Sequence, residues 1–339
     1  MLRITEVEQR SVFFREMATM VQSGMTMGES LEAAGRGTRH WRLARAAEEG
    51  AKAARLGKPF SQTMGRYPDV FTPVESAMVR AAEHSGRLDR LLGQIAAYLE
   101  TEYSLRQMIS RETFYPKILF GAILAFLLFV PAIIAALRPG GGALAGFLVL
   151  FQALLGWGIL AFTVFVIYVI FRHALISSRE TSAAWDTLKL KIPVFGEAIR
   201  RLALARFSRG LAALYAAGVS LAEASEIASD LTANAALREP MKTAAVRIHN
   251  GETPSQAFAG IPAMDDMTLR MLQTGEQTGN IDAMMQRVAE HYEEASLSTV
   301  RRAAALTVPV ATVIAGVIVL FIALRAYTGA FGGYESYLR

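Results

Sequence analysis

Two short stretches hold the residue types and spacing from which chemistry could be built. Glu83-His84-Ser85-Gly86-Arg87-Leu88-Asp89 returns near the other end of the chain as Glu276-Gln277-Thr278-Gly279-Asn280-Ile281-Asp282. Each copy places a carboxylate on either side of a glycine, and such a pair could hold a cation or grip a partner. The competing reading is structural. A helical pattern ends, Gly86 or Gly279 supplies the left-handed residue after the last turn, and the apolar residue two places on folds back over the finished helix. Asp89 or Asp282 then falls where an N-cap belongs, ahead of Leu91, Leu92, Ile95 and Leu99 or of Met284, Met285, Val288 and Tyr292. The stretch reads as a helix-turn-helix corner written twice, with Glu83, Gly86, Asp89, Glu276, Gly279 and Asp282 shaping it. No metal or cofactor is assigned to it.

The elements that must position these corners are helical. From Ser11 to about Arg111 apolar residues recur at spacings of three and four. Phe13, Phe14, Met17, Met20 and Val21 form a first stripe, read as core and not as a cofactor box, which ends at Ser23-Gly24. Thr26-Met27-Gly28-Glu29 has the form of a capping box that opens a second helix. A third is expected from Trp41 to Leu56, stopped by Gly57-Lys58-Pro59, and Thr72-Pro73-Val74-Glu75 opens the helix that ends at Gly86.

The second polar region repeats the first. At one constant offset Phe207 matches Phe13, Ala217-Gly218 matches Ser23-Gly24, Ser220 to Glu223 matches the capping box at Thr26, and Gly251 with Ser255-Gln256 matches Gly57 with Ser61-Gln62. After a single-residue deletion the two corners align, and Pro116 aligns with Pro309. A period this long marks duplication of a whole domain and not a solenoid of short repeats.

Composition bounds what the duplicated domains do. A content of 53% hydrophobic residues is high for an ordinary pair of soluble domains, and cysteine is absent, which excludes disulfides, thiolate metal sites and cysteine nucleophiles. The formal charge of +5 comes from acids and bases that alternate, a solvated helix surface that does not point to nucleic acid. Three apolar stretches, about 118–137, 143–171 and 303–324, each have the length of a transmembrane helix. Met1 to Arg10 lacks the apolar centre of a signal peptide, and the basic residues flanking the stretches place both polar regions in the cytoplasm. The expectation is an all-α polytopic membrane protein with two homologous cytoplasmic helical bundles and three transmembrane helices. Residues 1–113 form the first bundle, 114–137 the first span, 138–144 a short periplasmic loop and 145–171 the second span. Residues 172–302 form the second bundle, 303–325 the third span and 326–339 a periplasmic tail. Each bundle ends in a helix running towards Pro116 or Pro309 at the start of a span, a position where the missing amide does no harm. A continuous helix there would carry a push from bundle to span.

The corners, the turns at Gly24 and Gly218, the bundle, span, span, bundle, span order and Ile192-Pro193-Val194-Phe195-Gly196 resemble the F-type platform proteins of type II secretion and type IV pilus systems. That resemblance implies a homo-oligomeric scaffold in the bacterial inner membrane, with the N-terminus cytoplasmic and the C-terminus periplasmic. Its implied partners are a hexameric assembly ATPase, pilin or pseudopilin subunits and other inner-membrane assembly proteins. Some members of that family hold a cation in the first domain, a site not assigned to Glu83 and Asp89 here.

Enzyme chemistry has little to stand on. There is no G-x-x-x-x-G-K-[ST] loop, no H-E-x-x-H and no G-x-S-x-G elbow, and the five histidines are scattered. ATP is therefore expected to be handled by a partner. A transporter is disfavoured because the apolar stretches lack acids and bases at their centres, and a membrane-anchored helical adaptor is the remaining alternative.

Overall fold

Thr26 and Thr72 open their helices as full capping boxes, each side chain accepting from the backbone three residues on while Glu29 or Glu75 reaches back to the cap amide. The computed structural model describes residues 4–112, 114–137, 142–144, 146–152, 154–156, 186–187, 190 and 195–331. Every regular element among them is helical. The first copy contributes α1 (Ile4–Gln22), α2 (Met27–Gly37), α3 (Trp41–Arg55), α4 (Phe60–Met64), α5 (Pro73–Ser85) and α6 (Leu88–Glu112), followed by α7 (Phe114–Leu137). The second contributes α8 (Phe195–Ala216), α9 (Leu221–Ser229), a 3-10 turn (Asp230–Thr232), α10 (Ala235–His249), α11 (Pro254–Phe258), α12 (Asp266–Thr278) and α13 (Ile281–Phe331).

The chain divides into two compact units, one of Met1–Ile109 with Ala183–Thr299 and one of Ser110–Ser182 with Val300–Arg339. In the first unit both copies use the same packing. Helix α2 lies against α3 as α9 lies against α10, α1 lies against α2 as α8 lies against α9, and one apolar core runs through both copies. In copy one Phe14 and Phe60 each meet Phe71 edge to face, at 6.2 and 5.8 Å between ring centres, and in copy two Phe207 meets Phe258 at 5.4 Å. Gly50 is what lets Phe60 in, because a Cβ there would stand 2.5 Å from the ring. Met17 is fully buried, as the first stripe predicts.

Glycines end the helices where the sequence places them. Gly24 and Gly218 have φ of 91° and 90°, and Gly86 and Gly279 have 67° and 71°. A side chain added at Gly86 or Gly279 would meet nothing within 4 Å, so the cost of replacing either is backbone strain alone. Gly86→Val and Gly279→Val are each expected to lower stability by about 1 kcal/mol or more. Thermal melts of the purified chain check this, and unchanged melting for both variants would refute it.

In the second unit Gly146 brings its segment against α7, where a Cβ would meet Ala136 and the Ala132 carbonyl, and Phe147 stacks on Phe151 at 6.3 Å. Arg301 Nε donates to Glu112 at 2.8 Å. Phe129, Ile133, Val317 and Leu320 are exposed.

The expectation of a polytopic membrane protein is corrected here. Among the described residues no helix is long and apolar enough to cross a membrane, which takes about 20 consecutive apolar residues. The second expected span, 145–171, lies largely outside the described residues. Helix α13 spends its first half on polar and charged residues. The expected orientation presupposes those spans. Pro116 is the third residue of α7, whereas Pro309 is exposed inside α13, which continues from Ile281 to Phe331 without starting afresh at the proline.

Candidate functional site

Both corners carry a glutamate, and its role is set by a short helix twenty-odd residues upstream. Helix α4 begins after Pro59, whose side chain offers no cap. Glu83, in the last turn of α5, fills that gap by accepting from the amides of Phe60 and Ser61 and from the Ser61 hydroxyl. Glu276 in α12 also binds the start of α11, accepting from the Ser255 amide and, at 2.8 Å, from the Ser255 hydroxyl, beside the Thr253 side chain that caps this helix. A carboxylate over free amides at a helix start satisfies donors that have no intrahelical partner and lies at the positive end of the helix dipole. Hydrogen bonds to a charged group contribute about 1.5–3 kcal/mol. Glu83→Gln keeps the shape and loses the charge, and is expected to cost about 1 kcal/mol. Faster hydrogen exchange at the Phe60 and Ser61 amides, with the rest of the chain unchanged, is the readout.

Asp89 and Asp282 do not join these glutamates. Helix α6 starts at Leu88 and α13 at Ile281, and the first helical bonds are accepted by the carbonyls of Arg87 and Asn280. Both aspartates therefore stand two positions further into the first turn than the N-cap. There they face the helix dipole, and the Asp89 carbonyl accepts from Gln22 at 3.4 Å. Among the described residues no group of three or more His, Asp or Glu side chains is placed to hold a metal ion. His40 caps α3, its Nδ1 accepting from the Leu43 amide at 3.2 Å, a role its sequence position does not announce.

Sequence reasoning also missed the face where the two copies meet within the first unit. Helix α5 packs on α8 and α9. Arg80 of α5 pairs with Glu223 of α9, and this explains why the second capping box is only half closed. Ser220 accepts from the Glu223 amide, but the Glu223 carboxylate is committed to Arg80. Deeper in, Glu102 of α6 lies 2.8 Å from Arg106 and 3.8 Å from Arg206 of α8. Arg209 pairs with Glu293, both almost fully buried. Burial pushes the Glu293 carboxyl up, and the Arg209 guanidinium opposes that shift. Burial also raises the Tyr98 hydroxyl, and the charge of Glu102 adds to it. A groove of about 320 Å³ runs along this face, between Gln94, Tyr98 and Thr101 of α6, Arg209 and Ala213 of α8, and Asp282 of α13.

The arrangement is that of a duplicated helical bundle whose charged and capping residues hold corners and a repeat-to-repeat face in place. That defines an all-α class of duplicated bundle. The comparison with known proteins narrows it: the profile of the family "Type II secretion system (T2SS), protein F" matches residues 13–136 and again 207–328, and the chain belongs to that family. Type II secretion system protein F of Vibrio cholerae is 29% identical, the match covering 91% of this chain and 79% of that protein. Type IV pilus assembly protein PilC of Thermus thermophilus is 30% identical, with 91% and 78% covered. Type II secretion system protein F of Pseudomonas aeruginosa is also 30% identical, with 91% and 79% covered. The two stretches matched are the two copies of the sequence repeat.

Proposed function

We propose that this chain is a non-enzymatic scaffold of a type II secretion or type IV pilus-like machine, and that it couples a cytoplasmic hexameric assembly ATPase to the assembly of pilin or pseudopilin subunits. The observation that carries the reading is the double match to the protein F family, with relatives named for secretion and for pilus assembly along nearly the whole chain. The fold supports a mechanical role: buried ion pairs and capped corners make the duplicated bundle a body that can bear load. In this reading it works at the bacterial cytoplasmic membrane, alongside further copies of the chain and other inner-membrane assembly proteins. Gly24, Gly218, Gly86 and Gly279, with Glu83 and Glu276, keep the corners in register, and Asp89, Asp282, Pro116 and Pro309 belong to the helices that leave them.

The test is mild crosslinking in native membranes, extraction through an N-terminal tag and mass spectrometry of what is joined to the chain. Recovery of an assembly ATPase and of pilin-like subunits is expected. Recovery of neither, from cells shown to make both, would overturn the coupling role and favour a helical adaptor.

A further inference from the structure

The two copies treat the start of one helix differently. In copy two Asp186 sits at the start of α10, where its carboxylate accepts from the Ala235 amide at 2.9 Å and its carbonyl accepts from the Asn234 side chain at 3.2 Å. At the constant offset of the repeat, Asn234 and Ala235 correspond to His40 and Trp41 at the start of α3. Among the described residues no carboxylate accepts from the Trp41 amide. What lies at this helix start is a cavity of about 540 Å³, between Glu6 and Arg10 of α1, His40 and Arg42, and Asp69.

The cavity has donors to offer. Arg10 is almost fully buried; its Nη1 donates to both Glu75 oxygens, and its Nε donates to the Glu6 carbonyl at 3.4 Å. The two Nη2 hydrogens meet no acceptor among the described residues, and Arg10 lines the cavity. A buried donor without a partner costs free energy, which an oxygen placed in the cavity would recover. His40 caps α3 by accepting at Nδ1, so the ring hydrogen is on Nε2, a further donor in the lining. Arg42 meets Asp69 through Nε at 2.8 Å, with both side chains close to half exposed. In copy two the matching residues are Leu204, Asn234 and Ala236, so this donor set belongs to copy one.

We infer that the cavity at the start of α3 binds a single carboxylate, presented by an acidic peptide segment of a partner protein as Asp186 is presented within copy two. The helix start adds amides that have no intrahelical partner and the positive end of the helix dipole. The Arg10 and Arg42 guanidinium groups suit a planar carboxylate. Glu6 and Asp69 set the preference, because they repel a doubly charged phosphate more than a singly charged carboxylate. Neither the duplication nor the cavity depends on the secretion reading, and either can fail without the other.

The probe is a capped, fluorophore-labelled peptide with the sequence Ala183-Ala184-Trp185-Asp186-Thr187-Leu188, titrated with the full-length chain and followed by fluorescence anisotropy. The same peptide with Asp186→Asn is expected to bind about tenfold more weakly, since it lacks the charge. Arg42→Gln and His40→Ser in the chain should each weaken binding several-fold and leave thermal melting near that of the wild type, because Arg42 is at the surface and serine keeps the helix cap. Arg10 stays in place, since its loss would destabilise the fold. No binding of the aspartate peptide, equal binding of both peptides, or binding untouched by either variant would overturn the inference. Displacement of the peptide by inorganic phosphate more readily than by acetate would mark a phosphate site, and displacement by acetate at the peptide's own concentration would mark a site for a free small acid. Either result would overturn it too.

Discussion

Replacing Arg10 with methionine is expected to lower the stability of the chain by about 3–5 kcal/mol, the cost of stranding a buried charge. Arg10 and Glu75 are 3% and 0% exposed, and Nη1 of the arginine lies 2.5 and 2.8 Å from the two carboxylate oxygens. Glu75 is also the reciprocal member of the Thr72 capping box, so it cannot swing out to water without opening the start of α5. Burial already holds its carboxyl above the usual range, and Arg10 is the main group opposing that shift. Without Arg10 the shift grows. A carboxyl whose folded-state value is raised binds its proton more tightly when folded, so its unfavourable effect is absent in acid and sets in as pH rises through the unfolded and then the folded value. The deficit of Arg10→Met should therefore shrink as pH falls from 7 towards 4, and denaturant midpoints across that range would show it. The second copy suggests the rescue. The corresponding positions hold Leu204 and Thr268, both buried, and Thr268 bonds to Asp265 and to the Tyr292 hydroxyl. Arg10→Leu combined with Glu75→Thr should recover at least about half of the lost stability, because a buried pair replaced as a unit leaves no uncompensated charge. A single variant that melts like the wild type would refute the argument.

Phe60→Ala is expected to cost about 3–5 kcal/mol, the usual range for emptying a buried ring. Phe60 is fully buried against Phe71, and its ring fills the space that Gly50 leaves open. The close approach makes the two positions interdependent. Gly50→Ala alone forces a Cβ to within 2.5 Å of the ring and should cost about 1–3 kcal/mol by overpacking. In the Phe60→Ala background the same change fills part of a cavity, so it should be neutral or stabilising. Additive melting shifts in the double variant would show that the pair does not share this space.

Much of the local structure was legible in sequence because its signals act within a turn or two. Thr26, Thr72 and Ser220 start helices where their S/T-x-x-E spacing predicts, and Gly24, Gly86, Gly218 and Gly279 adopt left-handed backbone where helices end. The duplication was legible for the same reason, since matched turns recur at one offset and the family profile falls on the same two stretches. The shift of Asp89 and Asp282 by two positions from the expected cap is a small miss of the kind that helix boundaries invite.

What the glutamates bind was decided by tertiary structure. Glu83 and Ser61, like Glu276 and Ser255, stand in matching places in both copies, and that paired recurrence was the available signal, but only folding brings α5 over the start of α4 and α12 over the start of α11. Length and hydropathy along the chain suggested three membrane spans, a reading that the helices of the described residues do not bear out. The largest difference lies between the copies. Sequence makes Arg15 with Glu100 and Arg209 with Glu293 equivalent, yet one pair faces water and the other is sealed beneath the neighbouring repeat. Desolvation depends on what packs above a side chain, and a sequence states the side chain without stating its cover.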